Sequence, residues 1–289
     1  MNLVFKNLNE EGDPNDEYLY KDVRVNKGTI FGLDFSNRGM LLNYDLSKGI
    51  TDLAEDAPAH EGITTYPEFG LGNNGIIPEL TEKRGLPLIY AGNQPAEYTS
   101  GIRLQGVGSY LFEKRPRTLY IIWVGWDLSL TEGSKPTRAI RLGQSTGSLL
   151  HALTVNFAST IGSPALSVSI AGKSGTGNIT VNGNNSSQIA LEYVGENEPN
   201  RYWINGVYQG EGSASEGTFE SPVGDDILAI GGLFPSSSDF NNGIIYNSFL
   251  HDLDAAGMSA EALVEQDYNY VNELGSFEGT GCKRPYANV

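Results

Sequence analysis

The sequence predicts an all-β protein, a sandwich of two antiparallel sheets with one helix near its C-terminal end. Three observations lead there. Glycines and Asn/Asp/Ser clusters interrupt the chain roughly every 8 to 14 residues from Gly101 to Gly243, and the pieces between them alternate in polarity or run apolar. One of those pieces, Thr118 to Leu130, is apolar on both faces. A third, around Asn205-Gly206, carries the clearest hairpin signal in the chain.

Thr29 to Asp34 reads as the first strand, and residues 26 to 100 as first strands joined by long loops of the same domain. From there the candidate strands are Gly101 to Glu113, Thr118 to Leu130, Thr137 to Leu142, Leu149 to Ala158, Ala165 to Ala171, Asn178 to Asn182, Gln188 to Val194, Tyr202 to Gln209, Ile227 to Gly231 and Gly243 to Asp252. About ten strands in roughly 150 residues require two stacked sheets. In Thr118 to Leu130, Leu119, Ile121 and Trp123 alternate with Tyr120, Ile122, Val124 and Trp126, so this strand sits mid-sheet. The opposite sheet covers one face and a loop or a partner the other. Asn205-Gly206 supplies the two positive-φ positions of a type I′ turn. That turn sets Ile204 against Val207 on one face and Trp203 against Tyr208 on the other.

The helix runs from Ala260 to Leu274, with Ser259 as N-cap, Glu261 in the first turn and Gly275 beyond the end. Leu263, Val264, Tyr268, Val271 and Leu274 form its apolar stripe, which is expected to lie over a sheet edge or end. The domain reading is an N-terminal arm over residues 1–25, the sandwich over 26–275 and a tail over 276–289.

Composition narrows the function. With 289 residues, 39% of them hydrophobic, and 15 Tyr, 11 Phe and 3 Trp, the chain can bury a core and is not a disordered polypeptide. Nineteen Lys and Arg against 35 Asp and Glu leave a net charge of -16, which repels nucleic acid and anionic membrane surfaces alike. No run approaches the ~18 apolar residues of a membrane span. The opening MNLVFKNLNEEGDPND lacks a basic stretch followed by an apolar one, so no export signal is expected. Cys282 is alone, so an intrachain disulfide is impossible.

Catalytic constellations are missing from the pattern. No strand places two carboxylates at alternate positions as a glycosidase pair requires, and the acidic stretch Glu10 to Glu17 contains Gly12 and Pro14. Asp13, Asn15, Asp16 and Glu17, Asp225-Asp226, Asp239 with Asn241-Asn242, and Asp252 with Asp254 read as turn-forming groups rather than calcium loops. His60, His151 and His251 are scattered and read as structural. Cys282 reads as a spare surface thiol, and Gly172 to Gly177 as a hairpin loop rather than a phosphate loop. No cofactor and no metal is expected, and the chain reads as a non-enzyme. What remains is aromatic surface from Trp203, Tyr208, Tyr202, Tyr193, Tyr246 and Phe234. Half of each alternating set belongs to the core; the glycan-binding candidates are Trp203, Tyr208 and Asn205, rings to stack on a sugar with an amide beside them.

Three stretches carry a family resemblance. Tyr202-Trp-Ile-Asn-Gly-Val-Tyr resembles the hairpin of concanavalin A-like, laminin-G-like jelly rolls. Gly243-Ile-Ile-Tyr-Asn-Ser-Phe-Leu-His-Asp-Leu followed by Met258-Ser-Ala-Glu-Ala-Leu-Val-Glu-Gln-Asp resembles their last strand and short helix. Phe31-Gly-Leu-Asp-Phe-Ser-Asn is similar to the opening of laminin-G-like domains in bacteriophage tail and virion proteins. The resemblance implies a two-sheet jelly roll of about 12 to 14 strands, built for glycan adhesion or structural attachment. As a virion component, in the capsid decoration or the tail, the chain would assemble in the host cytoplasm and contact other virion proteins as part of an oligomeric assembly, with host-surface glycan as a further partner. A free carbohydrate-binding module is the alternative reading, and a glycoside hydrolase the third.

Overall fold

The structure, a computed structural model, describes residues 22–35, 51–69, 85–87, 100–126, 137–142, 153–160, 163–170, 173–174, 179–180, 186–212, 219, 227–231 and 243–273. In chain order these form β1 (Thr29–Asp34), β2 (Thr64–Phe69), β3 (Leu86–Pro87), β4 (Ser100–Gln105), α1 (Val107–Lys114), β5 (Thr118–Trp126), β6 (Thr137–Leu142), β7 (Leu153–Thr160), β8 (Ser163–Ile170), β9 (Lys173–Ser174), β10 (Ile179–Thr180), β11 (Ser187–Tyr193), β12 (Arg201–Ile204), β13 (Val207–Glu211), β14 (Ile227–Gly231), β15 (Gly243–Asp252), α2 (Leu253–Ala256) and α3 (Ala260–Glu273). One sheet has seven strands in the order β1-β15-β5-β11-β12-β13, with β3 also paired to β15; the other has eight, β10-β8-β7-β6-β14-β4-β2, with β9 on β8. Every pairing among the described residues is antiparallel. The all-β, two-sheet antiparallel sandwich expected from the pattern is the fold observed.

β5 lies between β15 and β11, and its residues 118–125 are buried throughout. Its inward side chains Tyr120, Ile122 and Val124 join Ile102 and Leu104 of β4 and Ile189 and Leu191 of β11 in the core between the sheets. Leu119 and Ile121 point outward, packing with Ala190, Trp203 and Phe249 against Leu263 and Val264 of α3. Trp123 meets Ile244, Tyr246 and Val271 on that same outer side. So α3 is what covers the second face of β5. It lies on the broad face of the seven-stranded sheet rather than at an edge or end, because each apolar side chain fully buried there contributes about 1.5–3 kcal/mol and the edge offers fewer of them. Its N-cap is the expected one, with Ser259 Oγ accepting from the Ala262 amide at 3.2 Å.

One strand expectation is corrected. Gly101 to Glu113 is not one strand: β4 ends at Gln105 and a helix begins at Val107. Gly106 adopts φ 96°, and a Cβ there would lie 2.6 Å from the Gly62 carbonyl oxygen, so the chain turns at the only residue type that fits. Beyond it Val107 and Leu111, one turn apart, bury against the core, a helical spacing hidden inside an apparently alternating run. Asp22, Arg24 and Val25, at the end of the expected arm, are buried beneath α3 on the outer face of the seven-stranded sheet, Arg24 to 3% exposure, and Gln266 of α3 donates to the Val23 carbonyl at 2.9 Å. The buried Arg24 cation is held by the carboxylates around it.

The histidines within the described residues are structural, as expected. His60 Nδ1 donates to the Ile30 carbonyl at 2.7 Å, and His251 Nδ1 lies 3.2 Å from Thr29 Oγ1. His151, Cys282, Phe234 and the acidic stretch Glu10 to Glu17 lie outside the described residues. Of the Gly172 to Gly177 stretch, Lys173 and Ser174 form β9 on β8, and the rest lies outside the described residues.

Candidate functional site

The β12–β13 hairpin is the expected one. Asn205 has φ 50° and Gly206 φ 76°, and the register sets Trp203 opposite Tyr208 and Ile204 opposite Val207. Gln188 of β11 secures the tip: its backbone amide donates to Asn205 Oδ1 at 2.9 Å, and its Oε1 accepts from the Gly206 amide at 2.8 Å. The Gln188 Nε2 group then donates to Asp267 Oδ2 at 2.7 Å and to the Val264 carbonyl at 3.1 Å, which ties the turn to α3. A Cβ at Gly206 would sit 3.0 Å from the Tyr268 ring in a backbone conformation that costs an L-residue about 1–2 kcal/mol. Gly206→Ala should therefore lower stability by about that amount, measured as a shift in the urea unfolding midpoint with an unchanged slope.

Of the three glycan-binding candidates, the structure places Trp203 in the interior. It is 2% exposed, between the sheet and α3, so its ring packs and has no face open to a sugar. It serves the site from behind, with its ring 5.5 Å from that of Tyr208 and tilted 57° to it. Tyr208 is 48% exposed and presents ring surface to solvent. Asn205 is half-buried with its side-chain oxygen already accepting from Gln188, which makes it a turn residue first. Of the other aromatics, Tyr193 and Tyr246 are core, and Tyr202 is half-buried against the inter-sheet core.

Residues that the pattern did not single out complete the surface. Directly opposed residues of an antiparallel pair share a face, so Arg201, paired with Glu211, lies on the same side as Trp203 and Tyr208. The register slips between Tyr202 and Trp203, and the extra residue, exposed Gln209, sits between Tyr208 and Glu211. Arg201 Nη1 donates to Glu261 at the start of α3 at 3.2 Å, and its Nη2 to fully buried Glu192 at 2.9 Å. The result is one exposed ring beside an amide, two exposed carboxylates and a guanidinium, on strands anchored to the rigid sheet. The alternation Arg-x-Trp before the turn is the signal that could have placed Arg201 on this face.

The buried carboxylates are committed elsewhere. Asp52 accepts from the Gly32 and Ala54 amides and from Thr65 Oγ1, with burial raising its pKa and His60 opposing that. Asp252 accepts from the Tyr110 hydroxyl at 2.7 Å and from the Ala255 amide, and burial raises the Tyr110 pKa well above its ordinary value. Glu192 takes both Arg117 and Arg201. Among the described residues no three His, Cys, Asp or Glu side chains are grouped to hold a metal. No helix among them is long and apolar enough to cross a membrane.

No protein-family model matches the chain, and no curated protein matches it in sequence. Its fold does have counterparts. It is similar to the binding domain of botulinum neurotoxin DC in complex with rat synaptotagmin II, at TM-score 0.51 and 10% identity over 86% of this chain and 52% of that one. The same binding domain in complex with SialylT gives TM-score 0.50 at 9% identity, over 84% and 52% of the two chains. A structure on the cell entry of botulinum neurotoxin type C, dependent upon interaction with two ganglioside molecules, gives TM-score 0.52 at 11% identity over 86% and 52%. The chain spans about half the length of these structures. The likeness is one of architecture, a two-sheet antiparallel β-sandwich.

Proposed function

We propose that this chain is a non-enzymatic, lectin-like binding module that serves as a bacteriophage virion component, in the capsid decoration or the tail. In this reading the segments flanking the sandwich attach it to other virion proteins, and the β12–β13 hairpin meets host-surface glycan. The observation that carries the glycan part is Tyr208, half exposed and backed by a buried tryptophan on a strand pair clamped by Gln188. A ring held in place loses little entropy when a sugar stacks on it, and the neighbouring Gln209, Glu211 and Arg201 offer hydroxyl partners. The similar structures, one a complex with SialylT and another concerning interaction with gangliosides, lend support to glycan binding in general and not to a sialylated ligand. The virion part rests on the Phe31-Gly-Leu-Asp-Phe-Ser-Asn resemblance. The non-enzymatic part is supported by the internal commitments of Asp52, Asp252 and Glu192.

The test is an immobilised glycan panel with wild type and Tyr208→Ala. Saturable wild-type binding that the variant loses is expected, with the variant's stability within about 0.5 kcal/mol of wild type, as for an exposed side chain. Silence across the panel, binding that survives in the variant, or release of reducing ends from a polysaccharide would overturn the reading. For the virion role, particles lacking the chain should show missing density by electron microscopy; unchanged particles would refute it.

A further inference from the structure

We infer that the hairpin site accepts uncharged sugars and turns away sialylated or sulfated ones. The inference rests on the glycan reading above and names its ligand class.

Arg201 is the single cation in β12, β13 and α3, while β13 contributes Glu211 and α3 contributes Glu261, Glu265, Asp267 and Glu273. Recognition of a sugar carboxylate or sulfate calls for a guanidinium fork free to engage it in two parallel hydrogen bonds. The fork of Arg201 is already occupied, Nη2 by Glu192 at 2.8–2.9 Å and Nη1 by Glu261 at 3.2 Å. Arg117, the other cation nearby, donates to the same Glu192 at 2.6 Å, and its backbone amide donates to Asp254. The two guanidinium groups are thus engaged by Glu192 and, for Arg201, by Glu261, with Glu211 opposite Arg201 in the register and Asp254 on the Arg117 backbone amide, and the chain as a whole carries -16. An anionic sugar stacked on Tyr208 would approach exposed Glu211 and Glu261, and among the described residues of β12, β13 and α3 no open cation would meet it. A neutral hexose, in contrast, brings hydroxyl donors, which the Glu211 carboxylate and the Gln209 amide oxygen are suited to accept.

A carboxylate roughly 6 Å from like charges at a protein surface is disfavoured by enough to weaken binding at least about fivefold. The experiment pairs neutral oligosaccharides with their sialylated counterparts, lactose with 3′-sialyllactose among them, and reads affinities by calorimetry on the full chain. Neutral members should bind at least about fivefold more tightly at low salt, and the gap should narrow toward 0.5 M NaCl as screening shortens to about 4–5 Å. In Glu211→Gln the ratio of sialylated to neutral affinity should rise about twofold or more. Equal or tighter binding of the sialylated member, or a ratio indifferent to both salt and Glu211→Gln, overturns the inference and leaves the glycan reading standing. Binding of neither member overturns that reading and the inference with it.

Discussion

Replacing Arg24 with alanine should cost about 3–5 kcal/mol, the largest loss expected from any single exposed-to-buried contrast in this fold. Its guanidinium is 2% exposed and reaches three carboxylates: Asp22 at 2.6 Å, Asp34 at 2.7 Å and Asp267 at 3.5 Å, each exposed by 4% or less. It also lies over the Phe249 and Tyr270 rings, 4.4 and 4.7 Å from their centroids. Burial alone would lower its pKa, but the carboxylates hold it well above the ordinary value, so the cation persists at every accessible pH. Without it, the acids remain in a low-dielectric pocket and must take up protons to stay there. The variant should therefore be relatively more stable near pH 4 than at pH 7, because carboxylates whose folded pKa is raised lose their contribution as pH rises. Urea unfolding at both pH values checks this, and Arg24→Lys, which keeps the charge without the fork, should fall between. A loss below about 1 kcal/mol at pH 7 would show that the pocket rearranges at small cost.

The second large effect is acid sensitivity from His251. Burial first, and then the charge of Arg24, push its pKa from 6.5 down to about 3. The folded protein thus keeps a neutral imidazole where the unfolded chain is protonated. The contribution is complete above pH 6.5 and is lost as pH falls toward 3, at about 1.4 kcal/mol per pH unit and about 5 kcal/mol in all. Asp267 and Asp52 work the other way. Burial raises both, against Arg24, Trp123 and Gln188 for the first and His60 for the second, so their contributions are present at low pH and fade as it rises. The difference between wild-type and His251→Asn profiles isolates the histidine; the variant should lose most of the slope between pH 6 and 4, and parallel profiles would refute the assignment.

Local pattern carried much of the fold. The Asn205-Gly206 turn, the span of β1, the spans of β6, β14 and β15, and the helix after Ser259 follow from turn chemistry, period and capping, all set by residues close in sequence. Patterns that fit two states did not resolve. Gly106-Val107-Gly-Ser-Tyr-Leu reads as strand until the left-handed glycine and the burial of Val107 with Leu111 settle it. The site was half legible. Tyr208 was in view from alternation, but alternation cannot tell which of two facing rings a helix will cover, and α3 covers Trp203.

What the amino-acid order determined unaided is the two-layered antiparallel body, because strand period, apolar content and positive-φ turns are local quantities read within a few residues. Only the tertiary structure decided that α3 closes the outer face of the seven-stranded sheet and that Arg24 belongs beneath it. That guanidinium meets Asp267 across 243 positions of chain. A partner so remote leaves no periodic trace, since desolvation and charge pairing depend on distance in space, which packing alone sets.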